Sequence, residues 1–183
     1  GSLRADAADL SLLPSTNRWG YFPAVSAGWT LSEEEFFAPL KHQVSSLKLR
    51  ASWGQNGSLA ALSNYPYSTD MALKGLYPFG TGNYYINAVA PSSMGNDKLK
   101  WETSEQINIG LDARFLKDRL TVGMDYFNKK TKDLLVNGTT PSLIVGGTTS
   151  PMNAGNVSNK GWEFELGWRD HIGDFHYSLR ANL

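Results

Sequence analysis

The chain contains no cysteine. That excludes a disulfide framework and thiolate metal centres, but it fixes no compartment, since many exported bacterial proteins also lack it. Net charge is missing too: 17 basic residues balance 17 acidic ones, so bulk electrostatics favour neither nucleic acid nor an anionic membrane surface. No run reaches the ~18 apolar residues of a membrane-spanning helix. A barrel strand needs only about 9–11 residues, half of them apolar, and escapes such a search. There is no initiator Met and no signal-peptide pattern. Gly1-Ser2 reads as an appended dipeptide and Leu3-Arg4-Ala5-Asp6 opens in mid-strand, so the expectation is a piece cut from something longer. Aromatics make up 12% of the residues, a content that points away from disorder.

What is present is alternation. Apolar residues recur at every second position in Val25/Ala27/Trp29/Leu31, Leu47/Leu49/Ala51/Trp53, Ile107/Ile109/Leu111/Ala113, Leu120/Val122/Met124/Tyr126, Trp162/Phe164/Leu166/Trp168 and Phe175/Tyr177/Leu179/Ala181. None of these sets carries a charge. The interleaved positions are polar, glycine or charged. Successive strand side chains point to opposite faces, so each segment is a strand with one oily and one wet side. Two objects fit: a soluble β-sandwich with oily faces packed together, or a barrel with its oily side towards lipid.

The connections separate the two. Strands are predicted over 18–31, 45–54, 102–115, 119–135, 155–169 and 174–183. The links 32–44, 116–118 and 170–173 fall at one end. The links 7–17, 55–101 and 136–154 fall at the other, and the last two are long and irregular. Ser32 and Glu35 have capping-box spacing and predict one short helix. Short turns at one end and long loops at the other are the habit of outer-membrane barrels, and connections beyond about 15 residues usually carry function. Trp29, Trp53, Trp162, Trp168, Phe175 and Tyr177 lie towards segment ends, where an interfacial girdle would put them; core aromatics of a sandwich would look the same.

Catalytic groupings are weak. His42, His171 and His176 lack metal-ligand spacing. Glu163 and Glu165 share one strand face, whereas glycosidase carboxylates face each other from different elements. Glu33-Glu34-Glu35 suits the first turn of a helix. Lys129-Lys130-Thr131-Lys132 reads as an interface or solubility feature at a strand end. Gly54-Gln55-Asn56-Gly57 and Gly146-Gly147 are turn chemistry, and no nucleophile elbow or phosphate loop occurs. No catalytic residue, metal or cofactor is expected. The stretch 55–101 differs: Tyr65, Tyr67, Tyr77, Phe79, Tyr84 and Tyr85 lie among many Asn, Ser and Gly. Rings beside amides and hydroxyls suit sugars, whose CH faces stack while their hydroxyls need partners. The same rings could instead hold a long loop together, and a soluble carbohydrate-binding module would use them equally well.

Several blocks carry a resemblance. Asn17-Arg18-Trp19-Gly20-Tyr21-Phe22-Pro23-Ala24-Val25-Ser26-Ala27-Gly28-Trp29 is similar to a block of the SusC/RagA-type TonB-linked outer-membrane transporters. So are Leu47-Lys48-Leu49-Arg50-Ala51-Ser52-Trp53-Gly54, Leu99-Lys100-Trp101-Glu102-Thr103-Ser104-Glu105-Gln106 and Gly110-Leu111-Asp112. The similarity continues in Tyr126-Phe127-Asn128-Lys129-Lys130-Thr131-Lys132-Asp133-Leu134-Leu135 and in Asn153-Ala154-Gly155-Asn156-Val157-Ser158-Asn159-Lys160-Gly161-Trp162-Glu163. The resemblance implies an all-β, antiparallel up-and-down transmembrane β-barrel, with about 7–8 strands of a roughly 22-stranded whole present here. Residues 1–183 would be part of the barrel domain, with external loops at about 55–101 and 136–154 and the plug domain outside the chain. It further implies TonB-energised import of a bulky nutrient, an oligosaccharide by preference or a peptide, across the outer membrane of a Gram-negative bacterium. The implied partners are a SusD-like surface lipoprotein, the TonB system and outer-membrane lipid. The charge-free side would face lipid, and Lys48, Arg50, Asn108, Asp112, Asp125, Glu163, Glu165 and Arg180 would face a wet lumen.

Overall fold

The structure, a computed structural model, describes residues 1–78, 80, 85–138 and 148–183. In chain order its strands are β1 (Ser2–Ala7), β2 (Trp19–Thr30), β3 (Val44–Ser58), β4 (Asp70–Pro78), β5 (Tyr85–Met94), β6 (Glu102–Phe115), β7 (Leu120–Lys132), β8 (Leu135–Val136), β9 (Thr148–Thr149), β10 (Met152–Asn153), β11 (Val157–Ile172) and β12 (Phe175–Asn182). Seven of them form one sheet in the order β1-β2-β3-β6-β7-β11-β12. Every neighbouring pair is antiparallel. Each wall strand therefore lies beside the next wall strand of the chain, and the sheet is an open up-and-down meander rather than a closed barrel.

The register turns the sequence alternation into rows. Leu47 faces Ala113, which faces Val122, which faces Leu166. The next rows are Leu49–Leu111–Met124–Phe164 and Ala51–Ile109–Tyr126–Trp162. Each strand contributes an apolar run of about seven to nine residues, roughly 24–31 Å of strand. That is the length a tilted strand needs to cross an apolar band ≈ 25 Å tall. No second layer covers these rows among the described residues: Val25 is 52% exposed, Ile109 53% and Leu166 52%. A sandwich requires those side chains sealed against another sheet, so the sandwich alternative does not hold.

Apart from Ala113, which its larger row neighbours cover, and Phe22 and Phe37, the buried apolar residues lie elsewhere. Ala8, Leu13, Leu99 and Leu135 form a small cluster, with Leu59, Leu62 and Trp101 against it. These residues come from the connections at the long-loop end of the sheet.

Several local expectations are corrected. Residues 32–37 do not start an α-helix; 3-10 turns span Leu31–Glu33 and Glu35–Leu40. Ser32 is buried inside the first turn and makes no capping bond, and Pro39, lacking an N–H, sits within the second. The stretch 55–101 is not wholly irregular: β3 runs on to Ser58, and β4 and β5 pair as a hairpin. The β11–β12 turn is tighter than expected, because Ile172 pairs with Phe175 across Gly173, whose φ is +62°. The β6–β7 turn places Leu116, Lys117 and Asp118 at φ of 56°, 58° and 65°. Backbone and side-chain bonds from Leu116 N to Gln43 O and from Asp118 N to Ser45 Oγ brace it.

Candidate functional site

Opposite the oily rows lies a polar face built on register. Arg50 pairs with Gly110 across β3–β6, Gly110 pairs with Asp125 across β6–β7, and Asp125 pairs with Glu163 across β7–β11. The Arg50 guanidinium donates from Nε and Nη2 to Asp112 Oδ2 and Oδ1 at 2.7 and 2.9 Å, and from Nη2 to Asp125 Oδ2 at 3.0 Å. A planar guanidinium meets two carboxylates in this way better than an ammonium could. Gly110 makes the room: a Cβ there would lie 2.8 Å from Arg50 Cζ and would collide with Asp125 Oδ1. Further along, Arg180 Nε lies 3.2 Å from Glu165 Oε1. Asn108 Nδ2 reaches Ser52 Oγ at 3.5 Å. All eight residues expected on the wet side thus share one face, and their charges are of mixed sign. A depression of ≈ 310 Å³ on that face is lined by Ser26, Lys48, Arg50, Ser52, Asn108 and Asp125, among others.

The second assembly is a platform under the long loops. Asn153 accepts from Lys100 N at 2.9 Å and donates from Nδ2 to Lys100 O and Asp133 O, both at 2.9 Å. Lys100 Nζ reaches Asp133 Oδ1 at 2.9 Å. Leu135 N donates to Glu102 Oε2 at 3.1 Å, Asn17 Nδ2 donates to Leu99 O at 2.9 Å, and Trp101 Nε1 donates to Arg18 O at 3.2 Å. Asp133, at φ +57°, turns the chain out of β7 so that Leu135 can enter the small core. Four motif blocks separated by tens of residues in sequence therefore meet at one place. Sequence reasoning missed this junction because Asn-to-backbone bonds leave no periodic signal. The repeated Asn and Asp at block ends were the available clue.

The loop aromatics do not converge. Tyr65 and Tyr67 touch edge to face, with centroids 6.3 Å apart. Tyr67 OH donates to Leu10 O at 2.5 Å, which ties it into the platform. Tyr77 pairs with Ile86, and Tyr85 with Pro78, so Tyr77 and Tyr85 occupy opposite faces of the β4–β5 hairpin, both exposed. Phe79 and Tyr84 lie outside the described residues. The hairpin also shows exposed Met71, Leu73, Leu76 and Val89, which the register and the bulge between Leu73 and Leu76 place on one face with Tyr85.

Among the described residues no group of three or more His, Asp or Glu could hold a metal ion. In the 7–17 connection the pKa of the Asp9 carboxyl lies below its ordinary range, because the Ser11 backbone N–H donates to it at 2.7 Å.

An open meander, oily and uncovered on one face, ion-paired on the other and surmounted at one end by long tethered loops, is a wall segment of an outer-membrane type of β-barrel. The chain belongs to the TonB dependent receptor-like β-barrel family, whose description matches residues 1–183. It is 34% identical over 174 residues to the TonB-dependent receptor SusC of Bacteroides thetaiotaomicron, covering 91% of this chain and 17% of that protein. It is 36% identical over 165 residues to the TonB-dependent receptor P39 of Formosa agariphila, covering 90% and 15%. Among solved structures, the RagAB peptide importer in its closed-closed state superposes with a TM-score of 0.80 at 24% identity, covering 98% of this chain and 19% of that one. The chain thus spans about a sixth of the length of the curated relatives it matches.

Proposed function

We propose that these residues form part of the wall and external loops of an outer-membrane importer of bulky nutrients in a Gram-negative bacterium. The observation that carries this reading is the pair of faces. Rows of Trp, Leu, Ile and Val stand uncovered on one side, while Arg50, Asp112, Asp125, Glu165 and Arg180 are paired on the other. Acyl chains satisfy the first face and a water-filled, plugged lumen satisfies the second. Residues 1–183 are then barrel, with 55–101 and 136–154 as external loops. Passage is binding and release driven through the TonB system, with no bond made or broken in substrate.

The substrate class we infer is oligosaccharide. Exposed Tyr65, Tyr77 and Tyr85 stand among Asn, Ser and Gly, the partners that sugar faces and hydroxyls require. Phe79 and Tyr84 belong to the same proposed set. The apolar hairpin face of Met71, Leu73, Leu76 and Val89 gives a SusD-like surface lipoprotein a place to rest, because exposed apolar patches mark partner surfaces. Uptake by the full-length protein, measured with a panel of labelled glycans and peptides, tests the substrate. Import of glycans lost in a Tyr65/Tyr77/Tyr85→Ala variant supports the reading. Uptake of peptides alone, with glycans ignored, contradicts it.

A further inference from the structure

The alternation splits the run Lys129-Lys130-Thr131-Lys132 between the two faces. Lys129 lines the polar side with Ser52, Asn108 and Gln106. Lys130 and Lys132 stand on the outward side, above Tyr126. The contacts fix this parity: Lys132 Nζ donates to Glu105 Oε2 at 3.0 Å, and Trp53 Nε1 donates to Glu105 Oε1 at 2.9 Å. Tyr126 meets Trp162 with ring centroids 4.9 Å apart. One strand over, Lys160 faces Asn128 and Ser158 faces Lys130, with no register shift between the strands. Reading upward on the outer face, the order is aliphatic rows, then the Tyr126 and Trp162 rings, then a row holding Trp53 and Lys160, then Lys130 and Lys132.

Three ammonium groups thus crowd the upper border of the oily band around Glu105, which Lys130 faces in register and Lys132 engages. Lys130 and Lys160 are exposed and make no ion pair among the described residues. Asn128, between them in register, holds its Oδ1 buried without a hydrogen-bond partner among those residues. Lysines at the end of a hydrophobic segment ordinarily reach for the headgroup layer, and this end is the long-loop, external one. A free anion would not use the aromatic and aliphatic rows directly beneath. A lipid with a phosphate on its headgroup uses both.

We propose that Lys130, Lys132 and Lys160, above the Tyr126 and Trp162 rings and level with Trp53, form a docking site for the phosphate of a phosphorylated glycolipid in the external leaflet. The proposal rests on the wall reading, since it needs this face to meet lipid. It is tested on the full-length detergent-purified protein by native mass spectrometry with three probes: phosphorylated lipid A, its dephosphorylated form and inorganic phosphate. The expected result is retention of phosphorylated lipid A about tenfold above the dephosphorylated form, and no retention of inorganic phosphate alone. Lys130→Gln combined with Lys160→Gln should abolish that preference, whereas Lys129→Gln should leave it unchanged. Equal retention of both lipids by the unaltered protein would overturn the proposal without any variant. So would a preference that survives the double substitution, or one lost equally in Lys129→Gln. The heat-dependent gel shift of the folded barrel is read in parallel. A variant that keeps that shift and the phosphate preference defeats the lipid site while leaving the wall reading intact.

Discussion

The seven-stranded wall and the β4–β5 hairpin are both antiparallel sheet, yet they are held by different physics. In the middle of the wall, a side chain's environment follows from its parity. Odd positions 25–29 of β2, 47–53 of β3 and 107–113 of β6 are oily, the even positions between them are polar or glycine, and the register runs without interruption from β3 to β11 apart from the bulge near Val44. In the hairpin, apolar residues occur on both faces, and Gly75 at φ +85° stands where the register shifts between Leu73 and Leu76. The wall is specified by its alternation, because a slip of one residue would exchange the faces. The hairpin is specified by what surrounds it. A scaffold with strong register and loops with weak register suits the proposed wall and external loops, because loops tolerate change that a paired wall does not.

The largest expected effect breaks the wall. Arg at Ile109 or Leu166 puts a charge near the middle of the oily face, at about 2–4 kcal/mol each. Either variant should fail to give the heat-shifted folded band in outer-membrane fractions, while Asn108→Arg should assemble. Equal loss from both kinds of substitution would remove the distinction between faces. A smaller effect is expected at Gly110, where a Cβ displaces the Arg50 guanidinium from Asp112 and Asp125. Gly110→Ala should lower stability to urea by roughly 1–3 kcal/mol. That penalty should shrink when Arg50 is already Ala, and an undiminished penalty would mean that the clash lies elsewhere. Smaller again is Asn153→Ala, which removes two bonds to Lys100 and one to Asp133, just beyond the end of β7. Protease cleavage within 136–154 should rise several-fold while the urea midpoint of the wall stays put.

The smallest effect is a response to pH confined to the 7–17 connection. The folded Asp9 carboxyl titrates below its unfolded value, so its support is present above the ordinary carboxylate pKa. That support is lost as pH falls through the lowered one. Protease cleavage near Ser11 should therefore be slower in the parent than in Asp9→Ala at neutral pH, and similar in both once Asp9 is protonated. A difference that persists at low pH would assign the protection to another group.

These contrasts also show why some features were legible in the residue order and others were not. The wall strands and the sidedness of Lys48, Arg50, Asp112 and Glu165 follow from a period of two, which needs no knowledge of the partner strand. The β6–β7 turn was located, but its three consecutive left-handed residues were not foreseen, because Leu116 and Lys117 are not residues that favour that conformation. The hairpin was concealed by Pro78, Pro91 and Gly75, which read as loop punctuation. The platform was concealed because Asn153, Asn17 and Glu102 act on backbone groups tens of residues away. The loop aromatics illustrate the limit most clearly: their density in the sequence was real, but Tyr77 and Tyr85 diverge across a hairpin whose faces could not be assigned before its register was known.

Residues 1–183 contain no cysteine, so in a full-length protein with any cysteine elsewhere replaced the central claim can be measured directly. Single cysteines placed one at a time at 107, 108, 109, 111 and 112 along β6 of the full-length protein, spin-labelled in bilayers, report exposure to apolar oxygen and to a water-soluble relaxation agent. Positions 107, 109 and 111 should be accessible to oxygen, and 108 and 112 to the aqueous agent. A flat profile, or one with the two sets exchanged, would contradict the assignment of the oily face to lipid.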